Sequence, residues 1–146
     1  MRETAEQFFD ACETGKGWDG CAPYCHPGAT FAGQTAALAG IDTLEAYTEW
    51  MKDLLTPLPD GTAEVRSFAV DEVRHNVAAY GIFRGTHTGD FMGIPASGKP
   101  VEMRSIDIWR IEDGMFVEHW DELNLMEMFQ QMGALPPLGA GLDRGA

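Results

Sequence analysis

Basic residues are scarce in this chain: 10 lysines and arginines stand against 23 aspartates and glutamates, for a formal net charge of −13 over 146 residues. That balance repels a phosphate backbone, which excludes nucleic acid as a natural partner, and it gives no long-range steering to a highly anionic substrate. Neutral or weakly charged ligands fit better. Cysteine is also scarce. Cys12, Cys21 and Cys25 are odd in number, which argues against a disulfide framework, and Cys21, Cys25 and His26 match no standard zinc spacing. Long apolar runs are missing, so no segment suggests a bilayer span. The opening MRETAEQFFDA has no basic stretch leading into an apolar one, and a cytoplasmic location is expected. No internal repeat or low-complexity tract is present.

What is there suits one globular domain: 45% hydrophobic and 23% charged residues. Ala5, Phe8, Phe9 and Cys12 recur at helical spacing, predicting a helix from Glu3 to about Glu13 that Gly15 and Gly17 end. A loop or short helical turn broken by Pro23, Pro27 and Gly28 leads into a short strand near 29–32, where Tyr24, His26 and Phe31 are placed at a cavity mouth. Asp42 and Glu45 suggest a relaxed capping box for a second helix through Leu44, Tyr47, Thr48, Met51 and Leu54, stopped by Pro57 and Pro59.

From Thr62 the period changes to two, and four strands follow, near 63–69, 76–88, 101–111 and 115–121. Leu123, Met126, Phe129 and Met132 then predict a terminal helix ended by Gly133, and a Pro/Gly-rich tail occupies 134–146. The order of elements indicates a single α+β domain over 1–133, with helices packed on one face of a curved antiparallel sheet.

The most informative residues are His119, Trp120 and Asp121. An imidazole and a carboxylate at i and i+2 on a strand share a face, here at the end of an apolar row. Two registers are open to the final hairpin. A two-residue turn at Asp113 and Gly114 pairs Glu112 with Met115 and sets odd positions against even ones. A turn with a bulge over Glu112, Asp113 and Gly114 pairs Ile111 with Met115 and sets odd against odd. The odd rows are apolar near the turn and polar further along, whereas the even rows carry Glu102, Arg104, Arg110, Glu118 and Glu122 with Ile106, Ile108, Phe116 and Trp120. Burial of one face favours the bulged turn. It sets Asp107 opposite His119 and Ser105 opposite Asp121, with Met103 and Trp109 on the same wall. His87, in the preceding strand, shares parity with Phe83.

The segments GTHTGDFMGIPASGKPVEMRSIDIWRIEDG and FVEHWDELNLMEMFQQMG resemble the SnoaL-like polyketide cyclases, a branch of the nuclear transport factor 2-like cone folds that also includes ketosteroid isomerase and scytalone dehydratase. The resemblance runs from the opening helix to Gly133. It implies a cone-shaped curved sheet closed by helices over its concave face, and a homodimer formed through the outer face. It also implies that the family's catalytic aspartate is Asp121. Asp107 stands where a characterised cyclase has histidine, and Phe31 corresponds loosely to a pocket asparagine.

The expected chemistry is intramolecular aldol ring closure of a small apolar, polyketide-like carbonyl substrate. Asp121 acts as general acid/base, His119 donates to the oxyanion or sets the carboxylate's protonation, and Asp107 orients His119. Phe31, Phe83, His87, Met103, Ser105 and Trp109 contact the substrate. No metal, nicotinamide or flavin is needed. Two alternatives stand beside this reading: an isomerase, dehydratase or epoxide hydrolase on the same cone, and a non-catalytic module that binds a small ligand. An Asp121 that merely caps the last helix would favour a structural role.

Overall fold

The computed structural model describes residues 1–33 and 35–136. Helices α1 (Arg2–Glu13) and α2 (Gly17–Cys21) precede strand β1 (Cys25–Gly33) and helix α3 (Leu44–Leu54). Strands β2 (Thr62–Asp71), β3 (Asn76–Thr86), β4 (Pro100–Glu112) and β5 (Met115–Leu123) follow, and α4 (Leu125–Gln131) comes last. The sheet order is β1-β5-β4-β3-β2. β2 to β5 form an antiparallel meander, with short turns after β2 and β4 and a long loop after β3, while β1 adds at the β5 edge in parallel and makes the sheet mixed. Among the described residues no helix is long and apolar enough to cross a membrane. The tail expected over 134–146 lies, from residue 137, outside the described residues.

The helices bury the stripes that their spacing predicts. Ala5, Phe8, Phe9 and Cys12 of α1 and Leu44, Tyr47, Thr48, Met51 and Leu54 of α3 are turned inward. The cap of α3 is one residue later than expected: Thr43 Oγ1, not Asp42, accepts from the Ala46 N–H at 3.1 Å. Asp42 instead uses its backbone carbonyl to accept from the Phe31 N–H, tying the loop to β1. In α4 the buried residues are Leu125 and Met128, while Met126 is exposed, because β5 runs on to Leu123 and the helix starts later than the period suggests.

The β4–β5 hairpin corrects the expected register. Asp113 and Gly114 both have positive φ, 50° and 73°, and form the two-residue turn, with Glu112 opposite Met115. The bulge lies further along. Ile111 pairs with Phe116 but Arg110 pairs with Glu118, so Val117 is the extra residue in β5. Beyond Val117 odd again faces odd, and Asp107 lies opposite Asp121, Trp109 opposite His119 and Ser105 opposite Leu123. Before Val117 the parity is reversed, so Phe116 is fully buried under Phe8 and Trp109 instead of lying on the outer face. Trp120 and Ile106 do lie outside, partly exposed.

Candidate active site

Asp107 from the middle of β4 and His119 and Asp121 from β5 meet on the inner face of the sheet, each no more than 4% exposed. Ionised groups are rarely buried this deeply unless paired, so their partners decide their state. Asp107 has two: Ser105 Oγ donates to Oδ2 at 3.1 Å, and His119 Nε2 donates to Oδ1 at 2.8 Å. A carboxylate accepts, so the imidazole proton is on Nε2. His119 Nδ1 and both oxygens of Asp121 are buried without a hydrogen-bond partner.

This asymmetry distributes charge within the pair. Burial, then the charge and close approach of Asp107, hold the Asp121 carboxyl well above the ordinary carboxylate range, while the nearby Tyr47 hydroxyl works in the opposite direction, neither group meeting the geometry of a hydrogen bond to it. Two adjacent carboxylates in a dry site cannot both ionise cheaply, so the negative charge belongs on the hydrogen-bonded Asp107 and the proton on Asp121. Asp121 caps no helix. That role belongs to Asn124, whose Oδ1 accepts from the Glu127 N–H at 3.1 Å.

Aromatic rings enclose the imidazole of His119. Tyr47 and Phe31 stand edge-on to it, with centroids at 4.8 and 5.2 Å, and Trp109 is tilted against it at 5.4 Å. Tyr47 also stacks on Phe31, 4.4 Å apart and nearly parallel. Burial, followed by the charges of Asp121 and Asp107, pushes the Tyr47 hydroxyl well above its usual value and keeps it a proton donor.

The structure thus gathers Asp107, His119, Asp121, Ser105, Trp109 and Phe31 at one place. Met103 and Phe83 form a cross-strand pair four residues further along β4, about 13 Å at the usual rise of a strand. His87 is more distant, just past the end of β3. It is fully buried, accepts at Nδ1 from the Ser97 N–H at 3.2 Å, and secures the long loop after β3. His26 lies near the β4–β5 turn, its Nε2 3.4 Å from the Glu112 carbonyl oxygen.

Two residues that sequence reasoning passed over belong here. Tyr47 was read as one more member of the α3 stripe, although a hydroxyl within an apolar stripe is itself a signal. Glu13 follows Phe9 by one turn on α1, and burial, then the charges of Asp107 and Cys21, push its carboxyl from an ordinary 4.5 up to about 8. This makes a prediction for stability. An acid with a raised pKa in the folded state binds its proton more tightly there than when unfolded, so its contribution is present at low pH and is lost as pH rises from about 4.5 through about 8. Glu13→Gln should therefore flatten the fall in stability across that window, as measured by urea unfolding at several pH values.

The donor atoms of Asp107, His119 and Asp121 lie within 4.8 Å of one another, so these residues have the chemistry to hold a divalent cation. Among the described residues no other set of His, Cys, Asp and Glu converges in this way; Cys21, Cys25 and His26 do not. Burial pushes the Cys25 thiol up to about 12, away from the thiolate a metal would need.

Solved structures resemble the whole assembly. AclR from Streptomyces galilaeus superposes with a TM-score of 0.80 at 24% identity, covering 99% of this chain and 93% of its own. IdmH from Streptomyces antibioticus, provisionally assigned as a polyketide cyclase, gives 0.75 at 26% identity, over 90% of this chain and 97% of its own. Among curated proteins, aklanonic acid methyl ester cyclase DnrD from Streptomyces peucetius is 26% identical over 148 residues, covering 95% of this chain and 94% of that protein. The family model described as SnoaL-like polyketide cyclase matches residues 3–132, which takes in every helix and strand but the first residue of α1. On the extent of that match, the chain belongs to the SnoaL-like polyketide cyclases.

Proposed function

We propose that this protein closes a ring in a neutral, polyketide-like carbonyl substrate by intramolecular aldol addition, with Asp121 as the proton carrier. The observation that carries the proposal is a buried carboxyl with no hydrogen-bond partner beside a second, satisfied carboxylate. A raised pKa makes ionised Asp121 a stronger base than an exposed carboxylate and neutral Asp121 an available acid near pH 7. In the fraction of molecules where it is ionised, Asp121 takes a proton from an activated methylene, the carbanion adds to a carbonyl carbon, and the protonated Asp121 returns the proton to the new alkoxide. Nothing is gained or lost overall. Tyr47 is suited to hydrogen-bond the developing oxyanion, and Asp107, held by His119 and Ser105, sets the pKa of Asp121. Because Nε2 of His119 is engaged, any donation to substrate must come from Nδ1 of the imidazolium.

The named relative, a methyl ester cyclase, supports this class of substrate. The interior supports the ester over the free acid: it already holds the charge of Asp107, which with burial keeps Glu13 and Asp121 protonated, and a further carboxylate would be repelled. Incubation with aklanonic acid methyl ester should give a ring-closed product of unchanged mass, and the free acid should react at least tenfold more slowly. A product heavier by one water would indicate a hydratase, one lighter by a methylene an ester hydrolase and one lighter by a water a dehydratase, and any of these would sink the cyclase reading. Turnover should survive prior treatment with a chelator; its loss, restored by a divalent cation, would point to the cation reading of the same residues. Exposed Ile106 and Trp120 fit pairing of two copies through the outer sheet face, which the protein's mass in solution would test.

A further inference from the structure

A groove of about 540 Å³ opens between α1 and β2, with Phe9, Glu13, Leu55, Ala63, Val65 and Phe68 in its walls. That volume is in the range of small-molecule sites; Phe9, Leu55, Ala63, Val65 and Phe68 supply apolar and aromatic wall, and three carboxyls line it as well, exposed Glu6 and Asp10 and half-buried Glu13. Phe9 and Glu13 are one helical turn apart and share a face of α1. Its Phe9 wall lies near the support of the aspartate pair: a Cβ on Gly81 would lie 3.2 Å from Phe9 Cζ and 3.2 Å from Ser105 Oγ, so both side chains lie over this bare backbone, and Ser105 donates to Asp107. A larger groove, of about 710 Å³, also reaches Ser105 and is walled by Ala36, Tyr80, Leu123 and Phe129, but its one carboxyl is the exposed Glu122.

We propose that the groove between α1 and β2 is an outer substrate subsite, in which the Glu13 carboxyl donates a hydrogen bond to a keto or phenolic oxygen on a planar ring. This rests on the cyclase reading of the inner site and extends it to the part of the substrate that does not react. Glu13 can donate because its surroundings keep it protonated near neutral pH. Glu6 and Asp10 on α1 line the same groove, and the titratable groups that act on Glu13 or respond to it are Cys12 on α1, Cys21 on α2, Tyr47 on α3, Asp107 on β4 and Asp121 on β5. The faces of Phe9 and Phe68, edge to face at 6.1 Å, supply an apolar wall suited to an aromatic ring.

Binding of dihydroxyanthraquinone, followed by the shift of its visible absorbance, tests the subsite without requiring turnover. The wild type should bind it at pH 6.5, Glu13→Gln within about twofold, and Glu13→Ala about tenfold more weakly, the effect of one lost hydrogen bond. Val65→Trp, which fills the groove from its exposed strand, should abolish binding. Failure of the wild type to bind, or unchanged affinity in Glu13→Ala or Val65→Trp, overturns the subsite. Loss of aldol turnover in Asp121→Asn is read separately, so the subsite and the cyclase reading can fail independently.

Discussion

Asp121→Asn should lower kcat for ring closure by about 10³-fold, within the range usual for removal of a positioned general acid/base, while leaving the protein folded. The two halves of this expectation come from the same observation. The Asp121 oxygens have no partner to lose, so the amide breaks no hydrogen bond and removes a charge that folding must otherwise suppress. The variant should exceed the wild type in stability, and by more at pH 9 than at pH 5, because ionisation of a carboxyl whose pKa is raised by folding draws the wild type toward unfolding as pH rises above the ordinary aspartate value. Turnover of the ester and urea unfolding at the two pH values measure both. An active Asp121→Asn variant would remove Asp121 from the chemistry. An inactive but destabilised one would mean that its oxygens are engaged after all.

Asp107 gives the opposite profile. Asp107→Ala strips the buried His119 imidazole of its one hydrogen bond among the described residues and half-buried Ser105 of its acceptor, and breaking such a buried pair costs about 3–5 kcal/mol. The lower end is expected, since relief of repulsion with Asp121 offsets part of the loss. Asp107→Asn keeps an oxygen that accepts from His119 Nε2 and should retain most of the stability. In that variant Asp121 no longer faces a like charge, so its pKa falls toward the ordinary range, and the acidic limb of the kcat/KM profile moves to lower pH. An unmoved limb in Asp107→Asn would break the link between the two carboxyls.

How far the sequence carries can be seen in this hairpin. Alternation on β4 and β5 reveals parity, because burying one face penalises every side chain of a strand slipped by one residue. It says much less about a slip of two. The compact turn with a later bulge at Val117 gives the same odd-to-odd faces as a bulged turn, so Asp107, His119 and Asp121 were legible as a group, although Asp107 faces Asp121 and reaches His119 diagonally. The same limit explains His87, Phe83 and Met103. They share the inner row, but position along a strand decides whether they reach the site, and a row has no length in a pattern of twos. Tyr47 and Glu13 were hidden for another reason: each owes its role to contacts between elements that no local spacing records. The resemblance of the chain to a known family supplied the sheet's curvature and closure, which periodicity alone does not encode.

The extra residue at Val117 also constrains how this protein can change over generations. Substitutions in the β4–β5 hairpin alter one side chain at a time, but a one-residue insertion or deletion between the turn and Glu118 would exchange the faces of everything beyond it. His119 and Asp121 would go to the surface, and Trp120 would enter the interior. A change of two residues would keep the faces but carry Asp121 past Asp107. Hairpin length is thus inherited together with the chemistry, and descendants that explore new substrates have freer ground in the helices and in the groove beside α1, where a residue can be exchanged without moving the aspartates.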